Sequence, residues 1–563
     1  MPNTAHSVAV RRILVLSGAL LLCAPTLVAQ PATRVWQETS AGSEMEEYLR
    51  SLQLLDTAAR QPWSLRAFSP VQVDAMDPGA SRHPWAHRFA FGRDSAAPAE
   101  LRVVRPRAQV WYNSTFPVGI NDGAVWAGRG ATGAVEGGAA LRWGPLTAIV
   151  APVAFWSQNA SYPIIDNGRE GPTQWGDGQW WGGVDYPQRF GDDSYARVDL
   201  GQTQLRIDSY GVALGASNAH EWWGPAQKYP FLLGNNAAGF PHLFLGTSRP
   251  VNLWIARLHG RVLWGRLEQS GYWEPLSDVM RDSRFATGLA FVVQPRGLEQ
   301  VELGAARFFH APWPDEGMPG RYIWRPFEGM LKKSIDTVDD HISTDDRSID
   351  GENQLASAFV RVSFPGSGFE IYGELGKEDH AWDMRSLLVS PDEQSSLTLG
   401  FRKAWRRQND RMLVLRGEAI NFQQGSIDRA YWEGRGGAPI YLHGAGSNQG
   451  HTQRGQLLGA AVGVSSSAGA FLAVDSFDPS GRWTVEWSRI VRQELVRGDV
   501  QYPPEPAMTN ASDVVHSLGV ERLLFRGPFD LLAGVTGSYN LNRNFEDDRT
   551  NLNLRLSVAG LPF

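Results

Sequence analysis

Between Asn218 and Pro250 the chain carries His220-Glu221-Trp222-Trp223-Gly224-Pro225, followed by Asn235-Asn236. Adjacent indoles offer flat apolar faces that stack on sugar rings, while His220, Glu221, Asn235 and Asn236 supply the hydrogen-bonding groups that hydroxyls need. The same residues serve equally well as packing, with the asparagines satisfying turn backbone. A second cluster, Trp175, Asp177, Gln179, Trp180, Trp181 and Asp185, repeats this chemistry in a Gly-rich stretch. Its alternative is a loop packed on itself. Glu221, Trp222, Trp223, Asn235, Asn236, Asp177, Trp180 and Trp181 are the candidate sugar-binding residues, and no cofactor or metal is expected.

Other chemistries fit less well. Asp336, Asp339, Asp340, Asp345, Asp346, Asp350 and Glu352 form an acidic run. The spacing of a calcium loop is absent, so a solvated loop is expected. No Gly-x-Ser-x-Gly elbow marks a serine hydrolase, and His220-Glu221 beside His242 lacks the helical His-Glu-x-x-His pattern of a zinc protease. A pair of glycosidase carboxylates can be drawn from any chain with 59 acids. A non-enzymatic role is expected, with an outer-membrane hydrolase as one alternative.

The elements that position these residues follow from composition and period. With 53 Lys and Arg against 59 Asp and Glu, the net charge of -6 provides no basic excess for nucleic acid. Arg11-Arg12, the apolar run Ile13 to Leu22 and the small Ala29 make residues 1–29 an expected secretory signal peptide. Cys23, the one cysteine, lies inside it, so the exported chain would have neither disulfides nor thiolate chemistry. Residues 30–100 are expected to form a small periplasmic helical segment. Ser43 and Glu46 make a capping-box pattern ahead of Met45, Tyr48, Leu49, Leu52 and Leu55, and Ser69-Pro70 opens a second short helix toward Met76.

From Leu101 to Phe563 the apolar period changes to two. About eighteen strand-length runs, from Leu101–Ser114 to Thr550–Phe563, are separated by links of alternating length. The sixth and seventh runs are Val251–Leu258 and Arg261–Ser270, joined by a short link at His259-Gly260. Short links fall on one side and long ones, such as Ser157–Gly201, Asn218–Pro250 and Gln423–Ser467, on the other. That asymmetry predicts an all-β transmembrane antiparallel β-barrel over 101–563, with tight periplasmic turns and long external loops. On Leu552, Leu554, Leu556 and Val558 one register is apolar, but Leu561 and Phe563 occupy the other, which predicts a bulge near Gly560. The terminal Phe563 resembles the signal read by the outer-membrane assembly machinery.

Glu221 to Pro225 and Leu232-Leu233-Gly234-Asn235-Asn236-Ala237 resemble the Wzi family of capsule-assembly outer-membrane proteins, which show a Trp-Trp-Gly-Pro step and then a Leu-x-x-Asn-Asn-Ala stretch. The likeness extends to Tyr48-Leu49-Arg50, Trp63 through Pro70, His83-Pro84-Trp85, Asn121-Asp122-Gly123, Gly128-Arg129-Gly130, Trp143-Gly144-Pro145, Tyr441, His443, Arg454-Gly455 and Leu458-Gly459. It departs at Ala226 to Phe231 and in the acidic loop. The resemblance implies an eighteen-stranded barrel with a periplasmic helical segment, largely occluded by its external loops. It also implies a lectin-like role, organising capsular polysaccharide or exopolysaccharide at the cell surface. The partners would be that polysaccharide, outer-membrane lipid and the assembly machinery, with no nucleic acid. The barrel alone would also suit a porin or diffusion channel.

Overall fold

The computed structural model describes residues 32–94, 97–178, 184–274, 282–315, 317, 320–327, 352–378, 384–389, 394–423, 440–442, 449–464, 467–493 and 512–560. The expected signal peptide, Gln179, Trp180, Trp181, His443, the acidic run up to Asp350, Leu561 and Phe563 lie outside the described residues.

Eighteen strands close into one antiparallel barrel. The first five are β1 (Ala99–Asn113), β2 (Gly130–Trp143), β3 (Leu146–Val150 continuing as Val153–Ser157), β4 (Tyr195–Asp199 continuing as Gln204–Ser209) and β5 (Val212–Ser217). Next come β6 (His242–Thr247 continuing as Val251–Asn252), β7 (Ala256–Glu268), β8 (Ser283–Pro295), β9 (Val301–Pro312), β10 (Asn353–Phe364) and β11 (Phe369–Glu378). The remainder are β12 (Ser395–Arg407), β13 (Arg411–Gln423), β14 (Ser467–Asp478), β15 (Gly481–Gln493), β16 (Ser512–Arg526), β17 (Phe529–Arg543) and β18 (Asp547–Gly560). Each pairs with its sequence neighbours, and β18 returns to β1, Asn553 opposite Asn113 and Ala559 opposite Arg107, so no edge is left open.

The alternation that predicted the barrel is visible on its wall. Leu552, Leu554, Leu556 and Val558 of β18 face outward beside Val535 of β17 and Leu518 and Val520 of β16, all exposed. Asn551, Asn553 and Ser557 face inward and are buried. Exposed Trp143, Tyr210, Trp254 and Trp483 sit near the short-turn end, and Tyr112, Trp156 and Tyr539 near the other. These are the positions of interfacial aromatics on a membrane barrel.

Several bounds differ from the sequence reading: β4 begins at Tyr195, inside the expected long link Ser157–Gly201. The sixth strand is His242–Thr247 and its short continuation, whereas Leu253, Trp254 and Ile255 form an exposed apolar turn. His259 and Gly260 lie inside β7, paired with Val292 and Phe291, and do not form a link. Apolar character there marks the membrane boundary of a turn, which period alone cannot separate from a strand. The ladder between β17 and β18 runs unshifted from Asn540 to Phe529 opposite Gly560, with an irregularity at Asn540/Arg543; Gly560 has a φ of +138°, the ladder to β1 stops at Ala559, and Leu561 and Phe563, on which the expected bulge rests, lie outside the described residues.

The N-terminal segment fills the barrel's short-turn half. Its helices are α1 (Glu44–Leu54) and α2 (Pro70–Met76). Ser43 accepts from the Glu46 amide at 3.2 Å, but Glu46 reaches back to the Gly42 amide at 2.6 Å, one residue earlier than a standard box. Ser69 and Gln72 complete a full capping box, with Pro70 in the first turn. Tyr48, Leu49, Leu52, Trp63, Met76 and Trp85 form a buried cluster with Ala140, Ile149, Ala404, Met412, Phe477 and Leu523 of the wall. Ion pairs fix the register: Arg50 donates to Glu370 at 2.8 Å, Arg402 to Glu47, and Arg105 of β1 to both Glu38 and Asp530. Glu302 of β9 accepts from the Trp63 amide at 3.0 Å and from the Ser64 amide at 3.0 Å.

Candidate functional site

The 218–241 connection does not stand out into solvent. It turns into the lumen, where Trp222 and Trp223 pair antiparallel with Arg66 and Leu65 of the N-terminal segment. Trp222 is 1% exposed and Trp223 0%. The Arg66 guanidinium covers the Trp222 ring at 4.6 Å, and Trp222 Nε1 donates to the Ala226 carbonyl at 3.1 Å. The Trp223 ring lies on Gly288, where an added Cβ would sit 2.7 Å from it, with Phe308 meeting it edge-on. Both indole faces are thus occupied by protein. Gly224 is required twice over: its φ is +99°, and a Cβ would lie 2.5 Å from Glu374 Oε2.

The polar members of this step are also engaged. Glu221 accepts from Arg261 and lies 3.7 Å from His242 Nε2. Burial pushes its carboxyl up, but the adjacent Arg261 guanidinium prevails and holds it below the usual range. His220 accepts from Gln202 Nε2 at 2.6 Å and donates Nε2 to the Ala237 carbonyl at 3.0 Å, a neutral tautomer that burial favours by lowering its pKa. Asn235 packs against Gly42 of the N-terminal segment. Asn236 accepts from the Asn121 amide at 3.2 Å and donates to the Leu457 carbonyl at 2.9 Å. Asp185 accepts from the Ser270 and Gly455 amides at 2.7 and 3.0 Å, stitching three connections together. Among the described residues no cluster of three His, Cys, Asp or Glu side chains is disposed to hold a metal.

Open space lies beside this packed half. A cavity of about 550 Å³ occupies the loop half of the lumen, against β1 and β15–β17. Asp177 and Asn236, two of the sequence candidates, line it, whereas Glu221, Trp222, Trp223 and Asn235 do not. Its aromatic walls are Trp111, Phe116, Trp126, Tyr162 and Tyr186, and its cations include Lys228, Arg492 and Arg543. Arg543 lies 4.1 Å from the Phe116 ring centre, and Lys228 pairs with Glu486. Lys228, Arg492 and Arg543 all fall in connections by sequence pattern, which does not tell which of the many loop cations converge; alternate residues of β15, Thr484, Glu486, Ser488 and Arg492, carry the signal of a polar lumen face.

No protein-family model matches the sequence, and no curated protein sequence matches it. Among solved structures, the Escherichia coli protein Wzi, described as an outer membrane protein involved in group 1 capsule assembly and a carbohydrate-binding β-barrel, superposes with a TM-score of 0.55. It is 12% identical over 92% of this chain and 98% of that one. The barrel described above therefore has the fold of Wzi. The Pseudomonas aeruginosa barrels OccK2 and OpdK also align, at TM-scores of 0.37 and 0.36, each 11% identical over 82% of this chain and covering 96% and 98% of theirs.

Proposed function

We propose that this protein is an outer-membrane barrel that binds and organises a capsular polysaccharide or exopolysaccharide at the cell surface, without catalysing a reaction on it. The observation that carries the reading is the 550 Å³ cavity in the loop half, where aromatic rings stand beside guanidinium groups and amide side chains. Rings suit the apolar faces of pyranoses, and forked guanidinium donors suit hydroxyls and carboxylates. The Wzi fold supports the same assignment, as does the motif likeness around Trp222 and Asn236. In this reading residues 1–29 direct export, residues 30–100 lie on the periplasmic side, the assembly machinery inserts the barrel, and the long connections face outward. Trp180 and Trp181 are retained as proposed sugar contacts, while Trp222 and Trp223 support the site from within the packed half.

Titrating the purified barrel in detergent with acidic and neutral polysaccharides tests the proposal. Saturable binding is expected, weakened about tenfold or more when Arg492 and Arg543 are both replaced by Ala. Absence of binding, together with unchanged capsule retention on cells lacking the gene, refutes it.

A further inference from the structure

The lumen is filled unevenly. Against β5–β10 and β13 the wall carries large apolar side chains, Phe244, Leu263, Phe308, Leu355, Phe359 and Phe422, packed on the inward connections. On β15–β17 many inward positions are small, Ser488, Ser517, Gly519, Gly534, Thr536 and Ser538, and larger ones between them, Arg482, Glu486, Arg492 and Glu521, are charged.

The lining of the loop-half cavity is continued down this wall by long side chains that rise from the short-turn half. Arg482, Thr484, Glu486, Ser488, Ile490 and Arg492 of β15 all line it, from the residue after the short turn to the loop end. Ten residue steps rise about 34 Å along a strand, or about 25 Å along the axis at the usual tilt, close to the height of a barrel's apolar band. A second cavity of about 440 Å³ lies on the short-turn side, between the N-terminal segment and the same wall, bordered by Glu38, Arg105, Arg107, Phe477 and Asp530. The two share Trp111, Asp122, Arg416, Arg482, Glu521 and Arg555 as lining. Where they meet, Arg482 reaches Glu44 of α1 at 3.0 Å and Glu521 at 2.7 Å, and Arg555 lies 3.7 Å from Glu521.

We infer that the two cavities form one polar passage through the barrel for small hydrated ions, running past the N-terminal segment along β1 and β14–β18 and narrowed by the Glu44–Arg482–Glu521–Arg555 ion pairs. Charges of both signs line it, so their hydration can be exchanged step by step for wall groups, and the small residues of β16 and β17 leave room for water. Long-chain polysaccharide does not pass, since α1 and the inward connections fill the rest of the lumen. The passage shares the loop-half cavity with the proposed glycan site, so glycan seated there should block it.

Single-channel recording in planar bilayers with the purified full-length protein tests it. Small, discrete conductance steps are expected. Gly534 faces the passage, and a Cβ there meets nothing nearer than 3.7 Å, so Gly534→Trp should fold and abolish the steps. Gly537→Trp, on the exposed outer face, should leave them unchanged. Glu521→Ala should raise conductance several-fold by removing the centre of the ion-pair chain. Heat-modifiable migration on gels verifies that each variant is a closed barrel. Silence of both the wild type and Glu521→Ala overturns the inference, as does a Gly534→Trp barrel that conducts like the wild type.

Discussion

Arg50 of α1 and Glu370 of β11 meet at 2.8 Å with both side chains entirely buried. Glu370 also accepts from Arg361, which in turn reaches Glu302, the carboxylate under Trp63 and Ser64. The N-terminal segment is therefore held to the barrel by a chain of desolvated charges as well as by apolar contact. Such a pair contributes orientation more surely than net stability, because each ion lost its hydration on burial. Removing one partner is another matter. Arg50→Met leaves Glu370 with one guanidinium fewer, and a loss of about 3–5 kcal/mol is expected. Urea titration in detergent checks this, and limited proteolysis should cut residues 32–98 faster while the barrel resists.

Trp223→Ala should destabilise by about 3–5 kcal/mol, the usual cost of deleting a large buried aromatic. Trp222→Ala should act similarly and also strip the Arg66 guanidinium of its ring. If these residues serve mainly to hold the connection in the lumen, Trp222→Phe should keep both thermal stability and glycan affinity near wild type. Comparing melting temperature with glycan affinity across the three variants separates a supporting role from direct contact.

Gly224→Ala combines a left-handed backbone with a Cβ 2.5 Å from Glu374. Strain of about 1–3 kcal/mol is expected from the backbone alone. The measured loss in urea unfolding should exceed that of Gly79→Ala, where φ is +57° but no atom lies within reach.

Acid should loosen the N-terminal segment before it opens the barrel. Burial lowers the His83 pKa from its ordinary value near 6.5 to about 4; its Nδ1 lies 2.8 Å from the Tyr48 hydroxyl. The unfolded chain takes up this proton first as pH falls. Stability is therefore complete above about 6.5 and declines toward pH 4, by at most about 3 kcal/mol for this group. His451, held at about 4 by burial and donating to the Leu232 carbonyl, adds a decline in the same window. His83→Gln should reduce the decline between pH 6.5 and 4 and leave the share of His451, as read by urea midpoints at each pH.

The barrel was legible because β strands exposed to lipid on one face must alternate, and because connections differ systematically between the two ends. Leu552, Leu554, Leu556 and Val558 show the first signal, and the brief link at Gly144-Pro145 against 158–194 shows the second. Where apolar residues serve the membrane boundary, as at Leu253 to Ile255, the pattern misled. The Trp-Trp-Gly-Pro step was found as a motif, but its burial was not. A tryptophan in a long connection reads the same whether it faces solvent or turns inward onto Arg66, since what covers it lies more than a hundred residues away in the chain. The cations of the loop-half cavity were hidden for a related reason: Arg492 and Arg543 come from different strands, and only the pairing of β15 and β17 with β16 brings them together.

The position of residues 32–98 inside the wall constrains the order in which the molecule can be made. Their partners come late in the chain: Glu370 is 320 residues beyond Arg50, and Gly481, whose carbonyl receives the Trp85 indole, is 396 beyond Trp85. Tethers of that length make the docking step slow, since contacts so distant in sequence repay loop closure only after much of the chain has been ordered. The seam between β18 and β1 is the last to become available, and once zipped it encloses everything within. Insertion must therefore proceed around a preloaded interior, or else leave the seam ajar until α1 has found Glu370 and Arg402. A barrel assembled from residues 99–563 alone would have no such wait, and its refolding should be faster than that of the whole chain.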